Sequence, residues 1–299
     1  MKKELVPYFT FERIRVRSLI FCAVLAQIIS DIIFSEINPI SYKDTTYQLP
    51  DGINYILFYC VFLLIYSSIL FRSRLSYKNT FGKFPEFSTL ARYSILTIPL
   101  LLFSLCILNI QYMWHLDLSP DLPEWLSDEN IGAVVYPSNV KLIIANILSI
   151  ICIVIITPIF EEFFFRGLLL TRWSIKRGTP KAILSTSILF GILHIDVIGG
   201  IFFGYVLAIV YIKTKSLYVP ICIHILNNFI AVIIEIYSVM TNHTSPEELN
   251  TSLEISIWIW IIGLCIVVAG MLVFLRKNIP NRNWEIPYFF HHNIEKSIN

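Results

Sequence analysis

Apolar residues in this chain neither alternate with polar ones nor recur at one helical face; they run on for about twenty positions and then stop at short polar clusters. A helix rises about 1.5 Å per residue, so roughly twenty apolar residues cross a hydrocarbon core. Eight such runs predict eight transmembrane helices, at 16–35, 52–71, 92–114, 140–171, 181–196, 197–212, 217–240 and 254–275. The fourth is long and the fifth and sixth are short. A membrane barrel would alternate apolar and polar positions, which stretches such as SIICIVIITPIF do not. The expected fold class is all-α, a polytopic membrane protein of about eight helices.

Composition agrees. Of 299 residues, 56% are hydrophobic and 15% charged, with a mean hydropathy of +0.69, outside the range of a soluble domain. Twenty of the 23 basic residues fall before span one, between spans two and three, after spans four and six, and in the tail; only Lys43 and Lys141 fall in the alternate loops. By the retention of Lys and Arg in short cytoplasmic loops, both termini are expected on the cytoplasmic side of a multi-pass protein, most simply of the plasma membrane. The acids gather opposite, as Asp117, Asp121, Glu124, Asp128 and Glu129. Charge sorted in this way suits lipid headgroups and gives no reason to expect nucleic acid as a partner.

The six cysteines fall one to a span with no C-x-x-C, and read as buried thiols. PYFTFER near the start and NWEIPYFFHHN near the end read as interfacial anchors, with His291 and His292 as a solvated pair. Asn242 and Asn250 fit the glycosylation pattern in an expected non-cytoplasmic loop.

Ionisable groups within hydrocarbon are costly, and here they cluster in three spans. Span four carries Glu161, Glu162 and Arg166, span five His194, and span seven His224, Asn227 and Asn228. Glu162 and Arg166 are four residues apart, acid first, and should pair. Glu161 points about 100° away and needs a partner from another helix. Counting from the nearest basic residues places Glu161, His194, His224 and Asn228 at a similar depth, roughly 13 to 22 Å from one side. A carboxylate and an imidazole can activate water, and a second imidazole with a carboxamide can donate to a developing oxyanion. A lone intramembrane His or Asn is commonly a helix-to-helix hydrogen bond; several at one depth on three helices argue for a shared site. Asn227 reads as packing, Glu235 as interfacial, Asp196 as a helix cap or a residue that meets water, and Gly200 with Gly204 as a close-packing face.

These residues resemble the CAAX protease and bacteriocin-processing (CPBP, or Abi) family of intramembrane proteases. Its E-E-x-x-x-R motif is similar to EEFFFR at Glu161–Arg166, its F-x-x-x-H motif to FGILH at Phe190–His194, and its H-x-x-x-N motif to HILNN at His224–Asn228. The resemblance covers about a third of the chain. It implies a four-helix catalytic core at 140–240, preceded by three spans and an acidic loop at 1–139 and followed by one span and a tail at 241–299. It implies that Glu161 and His194 activate water, that His224 and Asn228 form the oxyanion hole, and that Glu162 and Arg166 support them. The expected substrate is a membrane-associated or lipid-anchored protein or peptide, in CAAX-type processing or in bacteriocin-related maturation or immunity. The family has been described as both glutamate-type and metallo-type. No cofactor is required by the first; for the second, Glu161, His194 and His224 are the candidate zinc ligands, although no H-E-x-x-H is present. A non-proteolytic membrane scaffold or immunity protein on the same fold is the alternative function. A proton-coupled transporter finds no support, for want of internal repeats.

Overall fold

A computed structural model describes residues 14–38, 40–42, 45–47, 49–73, 75–118, 134, 140–240, 257–279 and 285–298. The acidic loop, apart from residues before 119 and Val134, the two glycosylation patterns and the N-terminal aromatic cluster lie outside these residues.

The chain is a polytopic membrane protein of the all-α class, with one short hairpin in a connection. Its described elements are α1 (Val16–Ile37), a hairpin of β1 (Ile40–Tyr42) and β2 (Thr45–Tyr47), α2 (Gly52–Ser73), α3 (Tyr77–Phe81), α4 (Phe87–Ser94), α5 (Thr97–Leu118), α6 (Val140–Arg177), α7 (Thr179–Ile192), α8 (Val197–Thr214), α9 (Tyr218–Met240), α10 (Ile257–Asn278) and α11 (Pro287–Ile298). Six stretches of described helix are long and apolar enough to cross a membrane, and two shorter apolar stretches, Gly52–Ser67 and Thr179–Ile192, occupy the places of expected spans two and five. The antiparallel hairpin, pairing Ile40 with Tyr47, was not anticipated; its alternating β-branched and aromatic residues suit a short ladder in a connection.

α8 is apolar on every side and is the most enclosed span, 61% buried against 6% for α10, so it forms the centre and α10 the lipid-facing periphery. α7 and α8 make the tightest helical hairpin. A Cβ on Gly200 would stand 2.9 Å from the Gly191 Cα, and one on Gly191 would stand 2.5 Å from the Ile201 amide nitrogen, so small residues alone allow this approach. The expected close-packing face at Gly200 and Gly204 is therefore present, and Asp196 caps α8 by accepting from the Gly199 amide at 2.8 Å.

Two expectations are corrected here. Cys60 and Cys265 are exposed, on faces available to lipid, while Cys22, Cys106 and Cys152 are buried and all six are free thiols. The tail is more than an anchor: α11 packs on α3, Ile286 and Tyr288 are buried, and His291 is 9% exposed with its Nε2 at 2.7 Å from the Lys215 carbonyl. Lys215 has a left-handed backbone (φ 56°) and Gly82 (φ 73°) sits against its carbonyl, which leaves room for the imidazole but not for a Cβ.

Candidate active site

α6 is not a uniform α-helix. It widens to π geometry at Cys152–Ile156 and again at Phe163–Leu170, bracketing the six-residue α segment Thr157–Glu162 that carries both glutamates. The cause of one polar contact is local. In the first wide stretch the Thr157 amide donates to the Cys152 carbonyl, so the next donor in register would be residue 158, which is proline and has no N–H. The Ile153 carbonyl is thereby left without that backbone donor, and Asn228 Nδ2 supplies one at 2.9 Å. This fixes one of the Asn228 amide hydrogens and ties α9 to α6, leaving the other hydrogen for a ligand.

Glu162 and Arg166 pair as the spacing predicts, at 2.8 Å, with side chains 0% and 2% exposed. Arg166 also donates to the Gly204 carbonyl at 3.1 Å and lies over the Phe190 ring at 4.7 Å. The sequence reading made this pair self-contained, and that is incomplete: Glu162 Oε1 also lies 3.0 Å from His224 Nδ1. His224 thus spans both carboxylates, since its other ring nitrogen lies 3.8 Å from Glu161 Oε2. Adjacent glutamates turned about 100° apart reach opposite edges of one imidazole.

His194 lies in the four-residue turn between α7 and α8 rather than on a helix. Phe190 holds it twice, through a carbonyl 2.6 Å from His194 Nδ1 and through ring stacking at 4.3 Å. A carbonyl only accepts, so Nδ1 carries the proton and, in the neutral ring, Nε2 presents a lone pair. That nitrogen is 3.8 Å from Glu161 Oε2. The same reasoning applies to His224, whose Nδ1 faces a carboxylate already paired to Arg166. Three acceptor atoms therefore converge with no hydrogen between them, and Glu161 Oε2 is enclosed without a hydrogen-bond donor among the described residues. Such a cluster calls for a small donor, as a water molecule is.

Zinc was the other expectation for these atoms. Ligand atoms on a tetrahedral zinc with bonds of about 2.0–2.2 Å stand roughly 3.3–3.5 Å apart. Both Glu–His separations here are 3.8 Å, and no group of three or more His, Cys, Asp or Glu among the described residues has metal-holding spacing. As placed, both Glu–His pairs stand wider apart than the ligands of a bound zinc.

The site opens on one side only. Glu161 and His194 side chains are 21% and 35% exposed, whereas His224 is 4% exposed. Glu161 ends a cavity of about 350 Å³, mostly apolar, whose walls include Ala23 and Gln27 of α1, Tyr55 and Tyr59 of α2, and Phe160 of α6. Val24, Ile28 and Leu193 line its mouth and are 54%, 51% and 66% exposed, so the mouth lies on the apolar outer surface.

All seven motif residues with assigned places in the three signatures are brought to this one region. The scan of protein families matches residues 143–230 to the model described as type II CAAX prenyl endopeptidase Rce1-like. That segment is similar to the Rce1-like family. A curated relative, "Putative membrane peptidase YdiL" of Bacillus subtilis (strain 168), is 34% identical over 113 residues, 37% of this chain. The chain spans 45% of that relative's length. No solved structure matches. The Rce1-like segment contains Glu161, Glu162, Arg166, His194, His224 and Asn228 but none of α1 or α2, which build the opposite wall of the cavity. Sequence reasoning passed over Phe190 as a positioning residue, although the F-x-x-x-H spacing carried the signal. It had no signal for the Ile153 and Gly204 carbonyls, or for Gln27, Tyr55 and Tyr59.

Proposed function

We propose that the protein is an intramembrane endopeptidase that hydrolyses a peptide bond of a membrane-associated or lipid-anchored protein or peptide, with residues 140–240 as its catalytic core. The observation that carries this reading is the convergence of Glu161 Oε2, His194 Nε2 and His224 Nε2 at 3.8 Å separations around an enclosed, donor-free carboxylate oxygen. A water held there donates to Glu161 and His194, which orients its lone pair toward a substrate carbonyl in the cavity. Attack transfers the water proton to this pair. The tetrahedral oxyanion is stabilised by the free Asn228 amide hydrogen and by His224, whose Nε2 takes up a proton from solvent as substrate binds and keeps it through attack and collapse, a cationic ring flanked by Glu161 and Glu162. Collapse returns the proton to the leaving amine. The Glu–His spacing favours a water without a metal ion, and purified, active protein is expected to contain no stoichiometric zinc and to withstand chelation.

The mouth on the apolar surface supports lateral entry from the bilayer. The sorted basic residues support cytoplasmic termini and a plasma-membrane location. CAAX-type processing is the first substrate class to test, and bacteriocin-related maturation the second. The test is comparative peptide profiling of membranes carrying wild-type protein or Glu161→Gln. Peptides that depend on Glu161 establish the activity. Intact cellular function in a folded Glu161→Gln protein would instead establish the scaffold alternative.

A further inference from the structure

The wall of the cavity outside the Rce1-like segment carries a polar group that the proposed chemistry does not use. Asp31 is the only charged residue in the interior of α1, between Arg17 and Glu36 near its ends. It is exposed, so that a ligand can reach the carboxylate. It is braced by two amides, Gln27 Nε2 from its own helix and Asn54 Nδ2 from α2, each 2.8 Å from Oδ1. Neither donor uses Oδ2. Beside it, Asn54 Oδ1 is enclosed without a hydrogen-bond donor among the described residues. The cluster therefore offers surplus acceptors and one negative charge.

Its position joins it to the cavity. Gln27 lines the same space as Glu161, and Asp31 lies one helical turn further along the α1 stripe formed by Val24, Gln27 and Ile28. One turn is about 5–6 Å, or roughly two residues of an extended peptide. We propose that Asp31, held by the Gln27 and Asn54 amides, is a recognition site for a basic side chain of the substrate, an arginine above all, about two residues from the segment lying against Gln27. A guanidinium offers five donors in a fixed fork, two of which match the two oxygens of a carboxylate. The apolar walls receive the neighbouring residues, and the cation selects the register in which the peptide bond meets Glu161. This inference rests on the peptidase reading and deepens it.

The test uses full-length protein in lipid nanodiscs and fluorescent peptides with one apolar segment, in which a single Arg or Leu is walked through five positions on either side of its centre. Binding is read by anisotropy and cleavage by product analysis, and each variant is scored by its own Arg-to-Leu ratio. Wild type is expected to prefer Arg by about fivefold at one register, a ratio that falls to near one in Asp31→Asn, returns in Asp31→Glu, and inverts toward a Glu-bearing peptide in Asp31→Lys. Each variant is first shown to be monodisperse. Equal binding of Arg and Leu peptides to wild type at every register overturns the recognition site, whether or not cleavage occurs. Register-dependent Arg binding without any Glu161-dependent cleavage leaves the site standing and overturns the peptidase reading.

Discussion

Replacing Arg166 by leucine strands the Glu162 carboxylate, which is 0% exposed and has the guanidinium as its cationic partner at 2.8 Å. Breaking a buried pair in this way costs about 3–5 kcal/mol, because the remaining charge is uncompensated. The Gly204 carbonyl also loses its 3.1 Å donor, worth about 1 kcal/mol. Removing both charges, in Glu162→Leu/Arg166→Met, eliminates the stranded ion and should recover at least about 2 kcal/mol relative to Arg166→Leu. Stability and chemistry then separate: the double variant still deprives His224 Nδ1 of its 3.0 Å acceptor and is expected to remain inactive. Unfolding in mixed micelles by SDS titration, followed through the protein's six tryptophans, measures the differences. A cost below about 1 kcal/mol for Arg166→Leu, or a double variant no more stable than the single one, would refute the mutual dependence of the two charges.

Other substitutions probe the scaffold. Asn228→Ala should destabilise by about 1–3 kcal/mol because the Ile153 carbonyl loses its donor, and Pro158→Ala, which restores a backbone N–H, should reduce that penalty in a double-mutant cycle; simple additivity would contradict the assignment. Gly191→Ala forces a Cβ to within 2.5 Å of the Val197 carbonyl and should cost about 1–3 kcal/mol in the same titration, more than Gly204→Ala, whose nearest contact is 3.2 Å. Lys78, chiefly through its hydrogen bond at 2.8 Å, holds the Glu295 carboxyl below its ordinary range, with Asn79 assisting. A lowered carboxyl value stabilises the docked α11 above the ordinary range and ceases to do so as pH falls through the lowered value. The protection of α11 against hydrogen exchange, taken relative to the intrinsic rate at each pH, should therefore fall on acidification toward pH 3, a response that Lys78→Ala weakens.

The spans were legible because lipid demands long apolar runs, and the Glu162–Arg166 pair because four-residue spacing survives in both helical geometries. The convergence of Glu161 with two imidazoles was foreshadowed by depth and by the resemblance of the three motifs. What could not be read were contacts made by backbone groups. The Ile153 carbonyl becomes available only through a wide turn ending at a proline, and the Gly204 carbonyl only through the close α7–α8 approach. His194 was placed on a helix because the apolar run continues through Ile195, whereas the chain turns at Leu193 to admit the short connection. His291 was misjudged because a tail histidine beside polar residues carries no local sign of the distant Lys215 carbonyl that receives it.

The two wide stretches of α6 also set its phase. Each accommodates extra chain without an added turn, so the surface stripe of α6 is displaced around the axis each time the geometry changes. A helix of 38 residues would otherwise present one fixed seam along its length. Here the lipid-facing side near Val140, the carboxylate pair at its middle and the enclosed Leu168–Leu170 segment can be chosen almost independently. Deleting a single residue between Phe163 and Leu170 would either swing everything beyond by roughly 100° or be absorbed by a return to α winding that abolishes the wide stretch. The length of this segment is thus a tuning element: composition can drift along α6 while residue number cannot.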